Sequence, residues 1–216
     1  MTRIDQRTTG LIVRTRPLTD TSLIVHWLTP DFGRLATVAK GARRPKSPFA
    51  GKLDLFFLAD FSFRLSRRSD LHLLCEATVR ETYSFLRREL AYLQQAAYCA
   101  ALIEQTTEPQ TPLPALFTLL NDFLDFLPTL APQSLPVFAF EMKFLAESGL
   151  QPNLREASLG DDARQVLDTI SRADWPRLRD VNLNSDEFSE INGFLRDFLA
   201  SNLDRIPSGR EAAVGG

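Results

Sequence analysis

Between residues 8 and 80 the apolar positions come in short runs of Val, Leu, Ile and Phe separated by turn residues, with no stripe at helical spacing. That pattern predicts strands. Residues 10–16, 22–28, 34–39, 54–65 and 71–79 read as five of them. Pro30-Asp31-Phe32-Gly33 is the turn between the second and third: Pro presets one φ angle, Asp bonds its own backbone and Gly accepts positive φ. Five strands in about 70 residues suit a small closed barrel, which removes exposed sheet edges, and the five-stranded OB barrel is the expected form.

Beyond residue 80 the period changes to that of helices. Leu86, Leu90, Leu93, Ala97 and Ala101 recur at spacings of three and four, predicting a helix over 84–107 with that stripe inward. Pro109 and Pro112 end it. A second helix spans 114–127 with Leu116, Leu120, Phe123 and Leu127 inward, closed by Pro128 and Pro132. A third, 135–148, is apolar almost all round and stops at Gly149, so it is the expected buried centre. Residues 161–173 and 186–203 give two more, the last capped by Ser185. The fold class is therefore α+β: a barrel domain over 1–80, an all-α helical domain over 81–206, and a tail over 207–216 that has no periodicity and is expected to fray.

Charge divides along the same line. Residues 1–80 hold 14 Lys and Arg against 7 Asp and Glu, whereas residues 81–216 hold 11 against 20. A positive domain joined to a negative one suggests that the first meets a polyanion. Six cations, Arg34, Lys40, Arg43, Arg44, Lys46 and Lys52, fall in residues 32–53 without one acid. Gly41, Pro45, Ser47, Pro48 and Gly51 predict a loop there, free to follow a phosphate backbone. Phe49 sits inside it, with Trp27 and Phe32 near in sequence. Two readings stand. Aromatic faces among cations form a single-strand site, with bases stacked and phosphates neutralised, or Phe49 pins the loop to the barrel and the charges are only solvated.

Other chemistry is sparse. The polar start of the chain lacks the apolar core of a secretory signal, which predicts a cytoplasmic protein. No apolar run approaches the 18 or so residues of a membrane span. Cys75 and Cys99 are too few for a disulfide framework or a thiolate zinc site and read as buried free thiols. His26 and His72 stand in strands with no motif around them, and no phosphate loop, nucleophile elbow or zinc-protease motif occurs. Nothing points to an enzyme or a cofactor.

The stretch Gly10-Leu-Ile-Val-Arg-Thr-Arg, the segment Leu23-Ile-Val-His-Trp-Leu-Thr-Pro-Asp-Phe-Gly-Arg-Leu, and Ala39-Lys-Gly-Ala-Arg-Arg-Pro-Lys-Ser followed by Phe49-Ala-Gly resemble the start of the bacterial recombination mediator RecO family. The similarity continues through residues 82–98 and through Phe140-Glu141 to Gly149-Leu150-x-Pro152-x-Leu154. The resemblance implies a DNA repair and recombination factor, not an enzyme, with an N-terminal OB domain and a helical domain. It implies binding to single- and double-stranded DNA, annealing of complementary strands, and action in the nucleoid. With its partner RecR, such a protein helps RecA replace single-strand binding protein (SSB) on DNA. The matched cations Arg14, Arg34, Lys40, Arg43, Arg44, Lys46 and Lys52 are then the expected DNA contacts, with Arg64, Arg67 and Arg68 as secondary ones. Lys143, on the third helix, is the candidate contact for the acidic C-terminal tail of SSB.

One departure stands out. Many members of that family place a Cys-x-x-Cys-Gly after the Gly-Leu-x-Pro-x-Leu exit and form a structural zinc site. Here Glu156 and Leu159 precede Gly160, no cysteine follows, and residues 155–185 look shortened, so zinc is not carried over. Two readings from other classes remain open: an adaptor whose acidic helical domain does the work without DNA, and an OB-fold RNA-binding protein.

Overall fold

The computed structural model describes residues 5–215; the first four residues of the polar start and the last glycine of the tail lie outside them. Five strands form: β1 (Gln6–Pro17), β2 (Leu23–Thr29), β3 (Gly33–Ala39), β4 (Leu58–Arg64) and β5 (Leu71–Glu81). They close in the order β1-β2-β3-β5-β4, with β1 pairing both β2 and β4. All neighbours are antiparallel except β3 and β5, which run parallel through Ala36↔Leu71, Thr37↔His72 and Val38↔Leu73. This is the OB barrel. Side chains alternate in and out along each strand, and Ile12, Val25, Trp27, Leu35, Phe61, Phe63 and Leu74 fill the interior.

The barrel unit also takes in Thr107–Phe117. Gln110 N–H donates to the Arg34 carbonyl and Leu113 N–H to that of Pro30, so this strap lies along the β2–β3 turn. Gly33 is there for two reasons. Its φ is +59°, and a Cβ on it would stand 1.8 Å from the Thr111 carbonyl oxygen.

The second unit comprises Ser84–Thr106 and Thr118–Gly216. Its helices are α1 (Leu90–Thr106), α2 (Pro114–Phe126, entering from the strap), α3 (Leu135–Glu147), α4 (Asp161–Arg172), α5 (Ser185–Asn202) and α6 (Arg210–Val214), with 3₁₀ turns at Ser84–Arg87, Leu127–Thr129 and Trp175–Asp180. The central helix α3 is buried along nearly its whole length, as its composition requires. Among the described residues no helix is long and apolar enough to cross a membrane.

Four expectations need correction. The first predicted helix is broken into a 3₁₀ turn and α1, and only part of the anticipated stripe faces inward: Leu86 is buried and Leu93 and Ala101 half-buried, but Leu90 is 65% exposed and Ala97 is exposed. The buried face carries Gln95, Ala96, Cys99, Leu102 and Ile103 instead. Gln95 turns inward with its amide Nε2 donating to the carbonyls of Gln133 (2.8 Å) and Ala213 (3.2 Å), which offsets part of the cost of burying it, while its Oε1 is buried without a partner among the described residues. The cap of α5 is Asn184, one residue before Ser185; its side chain accepts from the backbone of Asp186 and Glu187 while Glu187 reaches back to it, a capping box. Cys99 is buried, but Cys75 is only half-buried. The end of the chain is not a loose tail, since α6 packs on α1 and α3 and Arg210 is buried.

Candidate nucleic-acid interface

The connection between β3 and β4 is a run of tight turns, not an open loop. Backbone donors of Ala42, Arg44, Ser47, Ala50 and Lys52 each reach the carbonyl three residues back. Phe49 is buried in the barrel core. Arg43 ties the segment to the β1–β2 turn, its N–H donating to the Thr21 carbonyl (3.0 Å) and its Nη1 to that of Thr19 (3.1 Å). Arg43, Arg44 and Lys46 remain exposed, and among the described residues none forms an ion pair. Lys52 is half-buried.

The aromatic side chains do not join these cations. Trp27 lies inside the barrel, stacked on Phe61 at 4.0 Å, and its indole N–H donates to Thr37 Oγ1 at 2.8 Å. Phe32 packs edge-on against Phe63. Of the two readings of Phe49, the pin to the barrel describes the structure. Trp27 and Phe49 are therefore closed to base stacking, and half-buried Phe32 is engaged by Phe63.

What the sequence did not bring together is a groove of about 1180 Å³ beside β3 and β5. Val38, Leu71 and Leu73, outward on the parallel pair, give it an apolar lining. Lys40 at the end of β3 and Arg64, Arg67 and Arg68 of the β4–β5 hairpin give it cations, with Asp70 and Gln110 at its edge. Arg64 is paired with Asp5 at 2.9 Å, which raises its pKa through that hydrogen bond and charge. Arg67 and Arg68 are exposed and form no ion pair among the described residues. Two contacts hold the hairpin. Buried His72 accepts from Ser66 N–H at Nδ1 (3.3 Å), and Gln110 Nε2 donates to Asp70 (2.9 Å). Burial keeps the His72 pKa below its ordinary value, against the pull of Asp70, so the ring stays neutral and able to accept.

The remaining predicted residues are dispersed. Arg14 is exposed on β1 opposite His26 of β2. His26 is held below its usual pKa by burial and then by Arg16, Arg14 and Arg34, which marks a strongly positive sheet face. Arg34 is half-buried, and its Nη2 donates to the Thr107 carbonyl, so it anchors the strap. In the helical unit, Lys143 Nζ donates to the Ala173 carbonyl (2.6 Å) at the end of α4 and lies over the Trp175 ring. Burial lowers its pKa and Asp174 opposes.

The segment where zinc cysteines stand in the resembled family is knit by an arginine. Arg164 donates to the carbonyls of Leu154 (2.9 Å), Ala157 (3.4 Å) and Leu159 (2.8 Å) and pairs with Asp161 (2.6 Å), while Gly160 N–H donates to Glu190. No cluster of three or more metal-ligating side chains occurs among the described residues.

Residues 1–83 match the family model "Recombination protein O N terminal" and residues 87–163 match "Recombination protein O C terminal". Similar curated relatives are each named DNA repair protein RecO. The one from Rhodopirellula baltica is 30% identical over 157 residues, covering 72% of this chain and 58% of the relative. That from Anaeromyxobacter sp. strain K is 32% identical over 146 residues, covering 68% and 58%, and that from Bacillus subtilis 30% over 145, covering 67% and 56%. The chain thus spans under three-fifths of the length of the relatives it matches. With its N- and C-terminal models matched in order along one chain, the protein belongs to the recombination protein O (RecO) family.

Proposed function

We propose that the protein is a DNA repair and recombination factor whose barrel binds single-stranded and duplex DNA through phosphates and anneals complementary strands, with no catalytic step of its own. The observation that carries this reading is the groove, where Lys40, Arg67 and Arg68 border an apolar lining of Val38, Leu71 and Leu73. Cations on the rim neutralise phosphates while apolar side chains accept base faces, and a positive surface screens two polyanions from each other. With Trp27 and Phe49 interior and half-buried Phe32 packed edge-on against Phe63, affinity rests on phosphate contacts and is indifferent to sequence.

The proposal extends to partners. With RecR, the protein helps RecA replace SSB, and the helical unit receives the acidic tail of SSB. Lys143 serves that contact only where the tail's carboxylate takes over the bond now made to the Ala173 carbonyl. Lys143→Glu should then weaken tail-peptide binding, and unchanged binding removes the residue from the role.

A titration of labelled single-stranded DNA, duplex DNA and RNA of equal length tests the core of the reading. Binding to DNA is expected at low salt. A marked preference for RNA makes the protein an RNA-binding OB-fold protein, and no binding to any of the three leaves the adaptor reading in its place.

A further inference from the structure

Resting on the reading of the barrel as a nucleic-acid-binding domain, we propose that it holds two strands at once, on two cationic tracks that share only Lys40. One track is the groove, with Arg67 and Arg68; the other is the turn-rich β3–β4 connection, with Arg43, Arg44 and Lys46.

The observation is a division in space that the linear run of charge conceals. Lys40 lines the groove, but Arg43, Arg44, Lys46 and Lys52 do not. In the barrel β3 stands between β2 and β5. The connection leaves the end of β3 and is fastened on the β2 side, to Thr19 and Thr21 of the β1–β2 turn. The hairpin is fastened on the β5 side, through His72 and Gln110. The two sets of cations therefore flank β3 on opposite sides. Each has its own anchors, Phe49 and Arg43 for one, His72 and Asp70 for the other, so filling one track requires no movement of the other.

The tracks also differ in chemistry. The groove has an apolar lining and can take bases against Val38, Leu71 and Leu73. The connection exposes Arg43, Arg44 and Lys46 while Phe49 and Phe56 are buried and Phe57 packs against the barrel core. It grips a strand by its phosphates alone and leaves that strand's bases free to pair. Two phosphate backbones on one small barrel repel each other unless the surface between them is positive. Lys40, at the junction, supplies that charge.

Two variants, Arg43→Ala/Arg44→Ala/Lys46→Ala and Arg67→Ala/Arg68→Ala, separate the tracks. Thermal melts first establish that both fold as the parent does. The number of ten-nucleotide single strands bound per chain at low salt is then read by native mass spectrometry, and annealing of complementary labelled strands by fluorescence. The expected result is two strands per parent chain and one per variant chain, with annealing slowed at least tenfold in each variant. Saturation of the parent at one strand, complete loss of binding in either variant, or unchanged annealing in both overturns the proposal. A parent that binds no strand at all overturns the underlying DNA-binding reading instead, which keeps the two failures apart.

Discussion

The guanidinium of Arg210, six residues before the last of the sequence, closes a bidentate ion pair on Glu141 in the middle of the central helix, Nε to Oε1 at 2.7 Å and Nη2 to Oε2 at 2.9 Å. Glu141 is fully buried and Arg210 3% exposed. Tyr98 donates its hydroxyl to the same carboxylate at 2.5 Å, and Asn192 accepts from Arg210 Nη1 at 2.7 Å. Burial pushes the Glu141 pKa up and the bonds from Arg210 and Tyr98 oppose it. Helices α1, α3, α5 and α6 thus meet at one satisfied polar cluster inside an apolar unit.

Removing one member leaves the other charge buried without its partner, a loss of about 3–5 kcal/mol. Arg210→Ala should lower the unfolding free energy in urea by that order, and a loss below about 1 kcal/mol would show that the pair contributes little. DNA binding by the barrel should persist under conditions where this variant is folded.

Arg164 organises residues 154–161 through three carbonyls and one carboxylate. Arg164→Ala strips the carbonyls of their charged donor and should cost about 2 kcal/mol. The cleavage site exposed in limited proteolysis should lie between residues 154 and 160. Unchanged protease resistance there would remove the arginine from this organising role.

Both barrel histidines have pKa values below 6.5 in the folded chain. Burial is the first cause for each, joined at His26 by Arg16, Arg14 and Arg34 and opposed at His72 by Asp70. Between the folded values and 6.5 the unfolded state binds more protons, so stability rises with pH and is complete above about pH 7. His26→Gln/His72→Gln should flatten the rise in Tm between about pH 5 and 7. A parent Tm that is level or falling across that range would contradict this sign.

Trp27 is a core residue, so Trp27→Phe should reduce stability by about 1–2 kcal/mol, through loss of packing and of the bond to Thr37. Its affinity for single-stranded DNA should stay within about twofold of the parent. A tenfold loss of affinity in a folded variant would return the indole to the binding surface.

The barrel was legible because alternation and turn chemistry are local: Gly33 does at the β2–β3 turn what the Pro30-Asp31-Phe32-Gly33 pattern requires. The helical unit was legible where one face is apolar, as in α2 with Leu116, Leu120 and Phe123 buried, and Leu127 buried in the turn that follows. It was not legible in α1, where small apolar residues lie on both sides and partners far along the chain decide that Gln95 and Tyr98 turn inward. Nor was α6, whose one strong signal is Arg210, a charge that reads as solvated until Glu141 is known to be buried opposite it. The site divided the same way. The cluster of cations in 32–53 is visible in the sequence, but its split around β3 depends on the parallel β3–β5 pairing, which joins residues 35 apart. Arg67 and Arg68 enter the groove only through that pairing.

The central claim is that the groove beside β3 and β5 neutralises nucleic-acid phosphates, and its most direct measure is the salt dependence of single-strand binding in Lys40→Ala/Arg67→Ala/Arg68→Ala. Each phosphate contact contributes about −0.7 to the slope of log affinity against log salt, so losing three should flatten the slope by up to about 2. The variant should melt within a few degrees of the parent, since these exposed positions contribute at most about 0.5 kcal/mol each. A flattened slope with weakened binding is the predicted result; a slope and affinity equal to the parent's, in a folded variant, would contradict it.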